Sequence, residues 1–175
     1  MLLFFIGFMF VFIDYNITIG AASVNLIPDF IGFALVLIAS RSYVQKSARF
    51  KIVGILSAIL GAWGIVAFVL ALCSVSLAPI PELITGILAT VGALGLTYAF
   101  CEGVKEYESG FVKPFGAAQL ASSWVLLCMG NLIYYFTLVF ENMYLVCILL
   151  QLLSIVWFEY SVFSIYQNLK KRKKR

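Results

Sequence analysis

Six long apolar blocks make up most of this chain, and the polar breaks between them are of two kinds. The breaks at 41–51 and 102–116, together with the carboxyl-terminal tail, contain every Lys and Arg. The other breaks contain no basic residue. A helix needs about 20 apolar residues to cross a bilayer. The blocks therefore predict an all-α bundle of six transmembrane helices, at about 1–19, 28–43, 52–74, 80–101, 117–140 and 143–166. Little more than Glu141-Asn142 separates the last two, which predicts a tight antiparallel hairpin.

The basic residues fix the expected orientation. They are Arg41, Lys46, Arg49 and Lys51, then Lys105 and Lys113, then Lys170, Lys171, Arg172, Lys173, Lys174 and Arg175. Six spans put all three clusters on one side, and basic loops stay in the cytoplasm. Both termini are then cytoplasmic, and a span missed or invented would scatter the clusters over both sides. In this topology the inner side holds twelve basic residues against Glu102, Glu106, Glu108 and Glu159, a balance of +8. The outer side holds Asp14, Asp29, Glu82 and Glu141, a balance of −4, and together these give the chain's +4.

Composition agrees. The chain is 63% hydrophobic and 11% charged, against roughly a quarter charged in soluble domains, so the bilayer is the expected solvent. One membrane domain over 1–166 and a basic cytoplasmic tail over 167–175 are expected. The tail NLKKRKKR suits anionic lipid headgroups of the inner leaflet, at about 1 kcal/mol per basic residue, and needs no nucleic acid to account for it. The opening MLLFFIGFMFVFI lacks the basic leader and the small-x-small cleavage site of a signal peptide. It reads as a retained first helix, and its missing basic flank suggests a start upstream of Met1.

Pro at the first helical position followed by an acid favours a helix start. Ile27-Pro28-Asp29-Phe30-Ile31 and Ile80-Pro81-Glu82-Leu83-Ile84 share that form, 53 residues apart, and shared capping chemistry or a weak internal repeat accounts for it. Small residues at helical spacing let backbones approach in lipid. The stripes Gly54, Ala58, Gly61, Gly64 and Gly86, Ala89, Gly92, Gly95 predict that the third and fourth helices pack on each other, with a glycine-lined path as the alternative. Tyr134, Tyr135, Phe136 and Tyr144, and at the other end Trp157, Phe158, Tyr160 and Tyr166, read as interfacial aromatic belts.

Candidate chemistry is sparse. The chain has no His, so Ser–His and Cys–His nucleophile pairs are ruled out. No G-x-x-x-x-G-K-[ST] or G-x-S-x-G is present, and no two carboxylates sit together at membrane depth. The four cysteines, Cys73, Cys101, Cys128 and Cys147, read as small apolar filler. No catalytic residue, metal site or cofactor is expected, and the chain is read as not an enzyme. Intramembrane polar residues carry a functional hypothesis by default. They are Glu159, roughly 10 Å inside the cytoplasmic end of the sixth helix at 1.5 Å per residue, Asn131 and Gln151. Glu159 is a proton carrier, a structural acid paired with a basic residue, or an interfacial residue without a role. Asn131 and Gln151 read as interhelical hydrogen-bond glue. The outer acids Asp14, Asp29, Glu82 and Glu141 form a second candidate, a surface attractive to cations or cationic peptides.

Asp14-Tyr15-Asn16, then Leu26-Ile27-Pro28-Asp29-Phe30-Ile31-Gly32-Phe33 and a basic stretch, resembles a group of small multi-pass membrane proteins of Gram-positive bacteria. The likeness covers roughly the first 50 residues and implies a bacterial plasma membrane but no reaction. Size and span number are also similar to the substrate-binding subunits of energy-coupling-factor vitamin transporters. Their first helix carries an A-x-x-x-A contact motif, whereas here Ala58-x-x-x-Ala62 lies in the third helix. The expected function is a non-enzymatic integral membrane protein that binds a small solute or a partner membrane protein. The alternatives are a transporter or channel component, proton-linked through Glu159, and an immunity or stress protein of the membrane.

Overall fold

The computed structural model describes residues 1–12, 16–19, 22–25, 28–73, 79–136 and 143–173, with the backbone alone for 16–19, 22–25, 71, 79–82, 136 and 173. Six helices carry the fold, and a short ribbon joins the first two: α1 (Leu2–Phe12), β1 (Asn16–Ile19), β2 (Ala22–Asn25), α2 (Asp29–Tyr43), α3 (Arg49–Leu72), α4 (Pro79–Ser109), α5 (Ala117–Phe136) and α6 (Tyr144–Lys173). Among the described residues, four helices are long and apolar enough to cross a membrane: α3, α4, α5 and α6. This is the architecture of a helical membrane protein.

The first expected span is corrected. Its helix stops at Phe12, and residues 16–19, placed in it by hydropathy, form the strand β1 instead. β1 pairs antiparallel with β2, Asn16 opposite Asn25 and Ile19 opposite Ala22. The reason is local: Ile17, Thr18, Ile19 and Val24 are β-branched, which disfavours helix and suits a pleated surface. At about 1.5 Å per residue, the 11 residues of α1 and the 15 of α2 rise roughly 17 and 22 Å, short of a hydrocarbon core of about 30 Å.

The other boundaries hold within a few residues, with two extensions. α4 continues to Ser109 and α6 to Lys173, so the basic tail begins as helix. Pro28 sits at the cap position of α2, just before the helix rather than in it. α4 begins at Pro79, two residues before Pro81. Both prolines of α4 therefore lie in its first turn, where a missing N–H breaks no helical bond.

α1 lies at the centre. Phe4 and Phe8 are fully buried, and their rings meet Phe50 of α3, Phe100 of α4, Tyr43 of α2 and Phe158 of α6 at centroid distances of 4.7–5.8 Å. α3 and α4 pack on each other as expected, but not stripe against stripe. A Cβ on Gly54, Gly61 or Gly64 of α3 would meet Ser40, Phe33 or Phe30 of α2, not α4. On α4, Gly92 faces Leu60, while Gly86 and Gly95 face nothing within 4 Å. The small residues of α3 thus admit α2, its neighbour through the short 44–48 turn. α1 and α2 cross closely at Gly7 and Gly32, where a Cβ on Gly32 would stand 2.6 Å from the Gly7 carbonyl oxygen. Phe158 is also corrected, since it is part of the core and not of an interfacial belt. Trp157 and Tyr160 beside it are exposed, as a belt requires.

One end of the bundle gathers the basic segments through specific bonds. Ser47 Oγ donates to Glu106 Oε2 (2.7 Å) and accepts from the Arg49 N–H (3.1 Å), which caps α3 and ties it to α4. Glu108 Oε1 accepts the N–H groups of Phe115, Gly116 and Ala117 and closes the start of α5. Gly116 has φ of +123°, a backbone conformation that favours glycine there. The Arg172 guanidinium donates to the carbonyls of Lys113 (2.7 Å) and Pro114 (2.9 Å) and lies over the rings of Phe111 and Phe115. All three basic clusters are therefore held at the same end.

Candidate functional site

Glu159 is the one candidate whose surroundings set it apart. It sits on α6 nine residues before Asn168, whose amide donates to the Phe115 carbonyl in the basic-end loop. The helical rise puts it roughly 13 Å deeper than that loop. α6 packs against α5 and α1. The α1-facing side of α6 includes Phe158, which meets Phe8 (5.8 Å) and Phe12 (6.1 Å), and Phe163, which meets Phe5 (5.2 Å). At 100° per residue Glu159 lies between Phe158 and Phe163 on the helix surface. It is 7% exposed, and neither carboxylate oxygen has a hydrogen-bond partner among the described residues.

The helices around it cannot supply one easily. The sequence of α1, LLFFIGFMFVF, has no side-chain hydrogen-bond donor, and α5 has no charged side chain. The buried hydroxyls of α4, α5 and α6 are committed to their own helices: Ser123 donates to Leu120, Ser154 to Gln151 and Ser161 to Trp157, and on α4 Thr97 donates to Ala93 and Leu94. Such back-bonding is the usual way a helix satisfies a buried hydroxyl. The other inner-half acids contrast with Glu159. Glu102 pairs with Lys105 at 3.6 Å, Glu106 accepts from Ser47, and Glu108 caps α5. A buried polar group without a partner is costly to keep, and within a membrane-type bundle it marks a functional position by default.

The remaining candidates do not join it. A Cβ on Gly130 would stand 3.3 Å from the Gln151 Cα, so Asn131 and Gln151 lie near the same level of the α5–α6 hairpin. That level is eight residues, about 12 Å, from Glu159 along α6. Asn131 is buried, and its amide donates to Leu127 of its own helix. The interhelical bond expected of it is replaced by close backbone approach at Gly130 against Ser154. Of the outer acids, Asp29 lies in the first turn of α2. Asp14, Glu141 and the side chain of Glu82, the other members of the outer acidic candidate, lie outside the described residues.

Sequence reasoning missed three structural features: Glu108 as the cap of α5, Arg172 as the clamp on its loop, and the Gly7–Gly32 crossing. Gly32 belongs to the P-D-F-I-G segment, and its close approach to Gly7 is the physical reason a side chain is excluded there. No spacing rule links Glu108 to Phe115 or Arg172 to Lys113. The four cysteines are free, and the described residues contain no group of three or more His, Cys, Asp or Glu placed to hold a metal. Comparison with protein-family models, curated proteins and solved structures finds no match. Fold and site together define the class: a helical membrane protein with one unpartnered buried carboxyl.

Proposed function

We propose that this is a non-enzymatic integral membrane protein that binds a small solute, with Glu159 as the contact that selects it. The topology is six spans in a bacterial plasma membrane, with both termini and the basic end in the cytoplasm. Gathering of all three basic clusters at one end of the bundle supports that orientation. α1, too short to span by itself, makes the first crossing together with the β1–β2 segment and buries Phe4, Gly7 and Phe8 against the surrounding helices. The tail lies against anionic headgroups, where Lys170 stands 5.9 Å over the Tyr166 ring.

The observation that carries this function is the burial of Glu159 without a hydrogen-bond partner. A structural acid would have its partner in place, because removing either half of a buried pair is strongly destabilising. A ligand-binding acid waits for a partner that comes from outside, at some expense in stability. Glu159→Gln separates the two. For a binding residue, the melting temperature of the purified variant stays within about 2 °C of wild type or rises. A fall of more than about 5 °C would show that the carboxylate has a structural partner and would remove the solute-binding function.

A further inference from the structure

We propose that the ligand of Glu159 is a weakly hydrated organic cation, taken up in exchange for the proton of the carboxyl group. The inference rests on the solute-binding function above and specifies the ligand's chemistry.

Charge comes first. α1 has no titratable side chain. α5 has only Cys128, Tyr134 and Tyr135, all at least five residues beyond Ser123, which antiparallel pairing puts opposite Glu159. On α6 itself the nearest charged side chain is Lys170, eleven residues away, with Tyr160 exposed to the outside and Tyr166 partly buried. The next layer, α4, brings Cys101 and then Glu102, which already pairs with Lys105. The N-terminal ammonium at the start of α1 donates to Tyr43 Oη (2.8 Å), and among the described residues no basic side chain stands beside the carboxylate. An anionic ligand is repelled once the carboxyl ionises, and a neutral one leaves the ionised form uncompensated in low dielectric, whereas a cation supplies the charge that form lacks.

The walls then select among cations. Calcium takes six to eight oxygen ligands and magnesium a nearly ideal octahedron. Two carboxylate oxygens on a helix face flanked by Phe158 and Phe163 cannot replace that hydration. Phe5, Phe8, Phe12, Phe158 and Phe163 pack ring on ring along the α1–α6 seam and bring no hydrogen-bonding atom to it. Ring faces stabilise cations whose charge is spread over carbon, as in quaternary ammonium groups. The balance is simple: the O–H bond of the Glu159 carboxyl breaks, the proton leaves to water, and the carboxylate forms an ion pair with the cation. The net charge of the site does not change.

Tetraphenylphosphonium is a suitable probe, titrated into the full chain in nanodiscs with empty nanodiscs as the blank. The expected result is saturable binding with release of about one proton per cation, read by an indicator dye in weak buffer. Affinity should weaken by up to about tenfold per pH unit toward acid, where the proton competes. Glu159→Gln should lower affinity by about tenfold or more at an unchanged melting temperature, and Phe12→Leu should lower it severalfold. Binding to wild type without proton release would overturn the exchange, and this measurement needs no variant to fold. Equal binding by Glu159→Gln, or no binding by wild type, would overturn the assignment to an organic cation. If that happens while Glu159→Gln keeps its melting temperature, the cation chemistry alone has failed. A destabilised Glu159→Gln removes the solute-binding function as well.

Discussion

Replacing Glu108 by Ala removes one oxygen that accepts three backbone N–H groups, those of Phe115, Gly116 and Ala117. Phe115 and Ala117 are buried, so water cannot readily take over all three donors. Loss of an ordinary helix cap costs about 1 kcal/mol, and a hydrogen bond to a charged acceptor contributes about 1.5–3 kcal/mol. Three donors sharing one oxygen do not add fully, so the expected loss is about 2–3 kcal/mol. For a chain of this length that corresponds to a fall of roughly 4–12 °C in melting temperature. Glu108→Gln keeps an acceptor but loses the charge assistance, and its fall should be about half as large. Glu106→Gln disturbs a single bond from Ser47 and provides the small-effect reference. Thermal unfolding in one detergent, followed by a thiol-reactive dye on the buried cysteines, ranks the three variants. A Glu108→Ala protein as stable as Glu106→Gln would refute the view that this carboxylate holds α5 in place.

Further outcomes test other parts of the structure. Reporter fusions after Arg49, Gly110 and Arg175 should read cytoplasmic and those after Ser76 and Asn142 external; an external carboxyl terminus would end the six-span topology. Gly61→Leu should destabilise by about 1–3 kcal/mol, because a Cβ there would already stand 3.3 Å from Phe33. Gly95→Leu, with nothing within 4 Å, should be nearly silent in the same melting assay, and equal effects would return the stripes to a shared interface. Arg172→Ala should loosen the 110–116 loop, read as faster amide hydrogen exchange at Phe115 and Gly116. Unchanged protection would mean that Asn168 and Glu108 hold the loop without it.

The sequence alone determined the solvent, the number and approximate limits of the helices, and the common end of the basic clusters. Those properties are one-dimensional: a block of apolar residues is apolar whatever it packs against, and charge in lipid is excluded regardless of fold. It also pointed to Glu159, because an acid inside an apolar block is unusual in any arrangement. Tertiary structure decided the rest. Hydropathy cannot distinguish an apolar β-branched run from the end of a helix, so the β1 segment was legible only once its pairing with β2 was seen. A stripe of glycines announces close approach but not its partner; α3 turned its stripe to α2, and Gly32, in no stripe, meets the Gly7 backbone. Glu108 and Arg172 act on residues set beside them by chain reversal at Gly116 and by the return of α6, contacts that depend on distance in space. The state of Glu159 is of the same kind. Its lack of a partner depends on which faces of α1 and α5 meet α6, and packing alone assigns those faces.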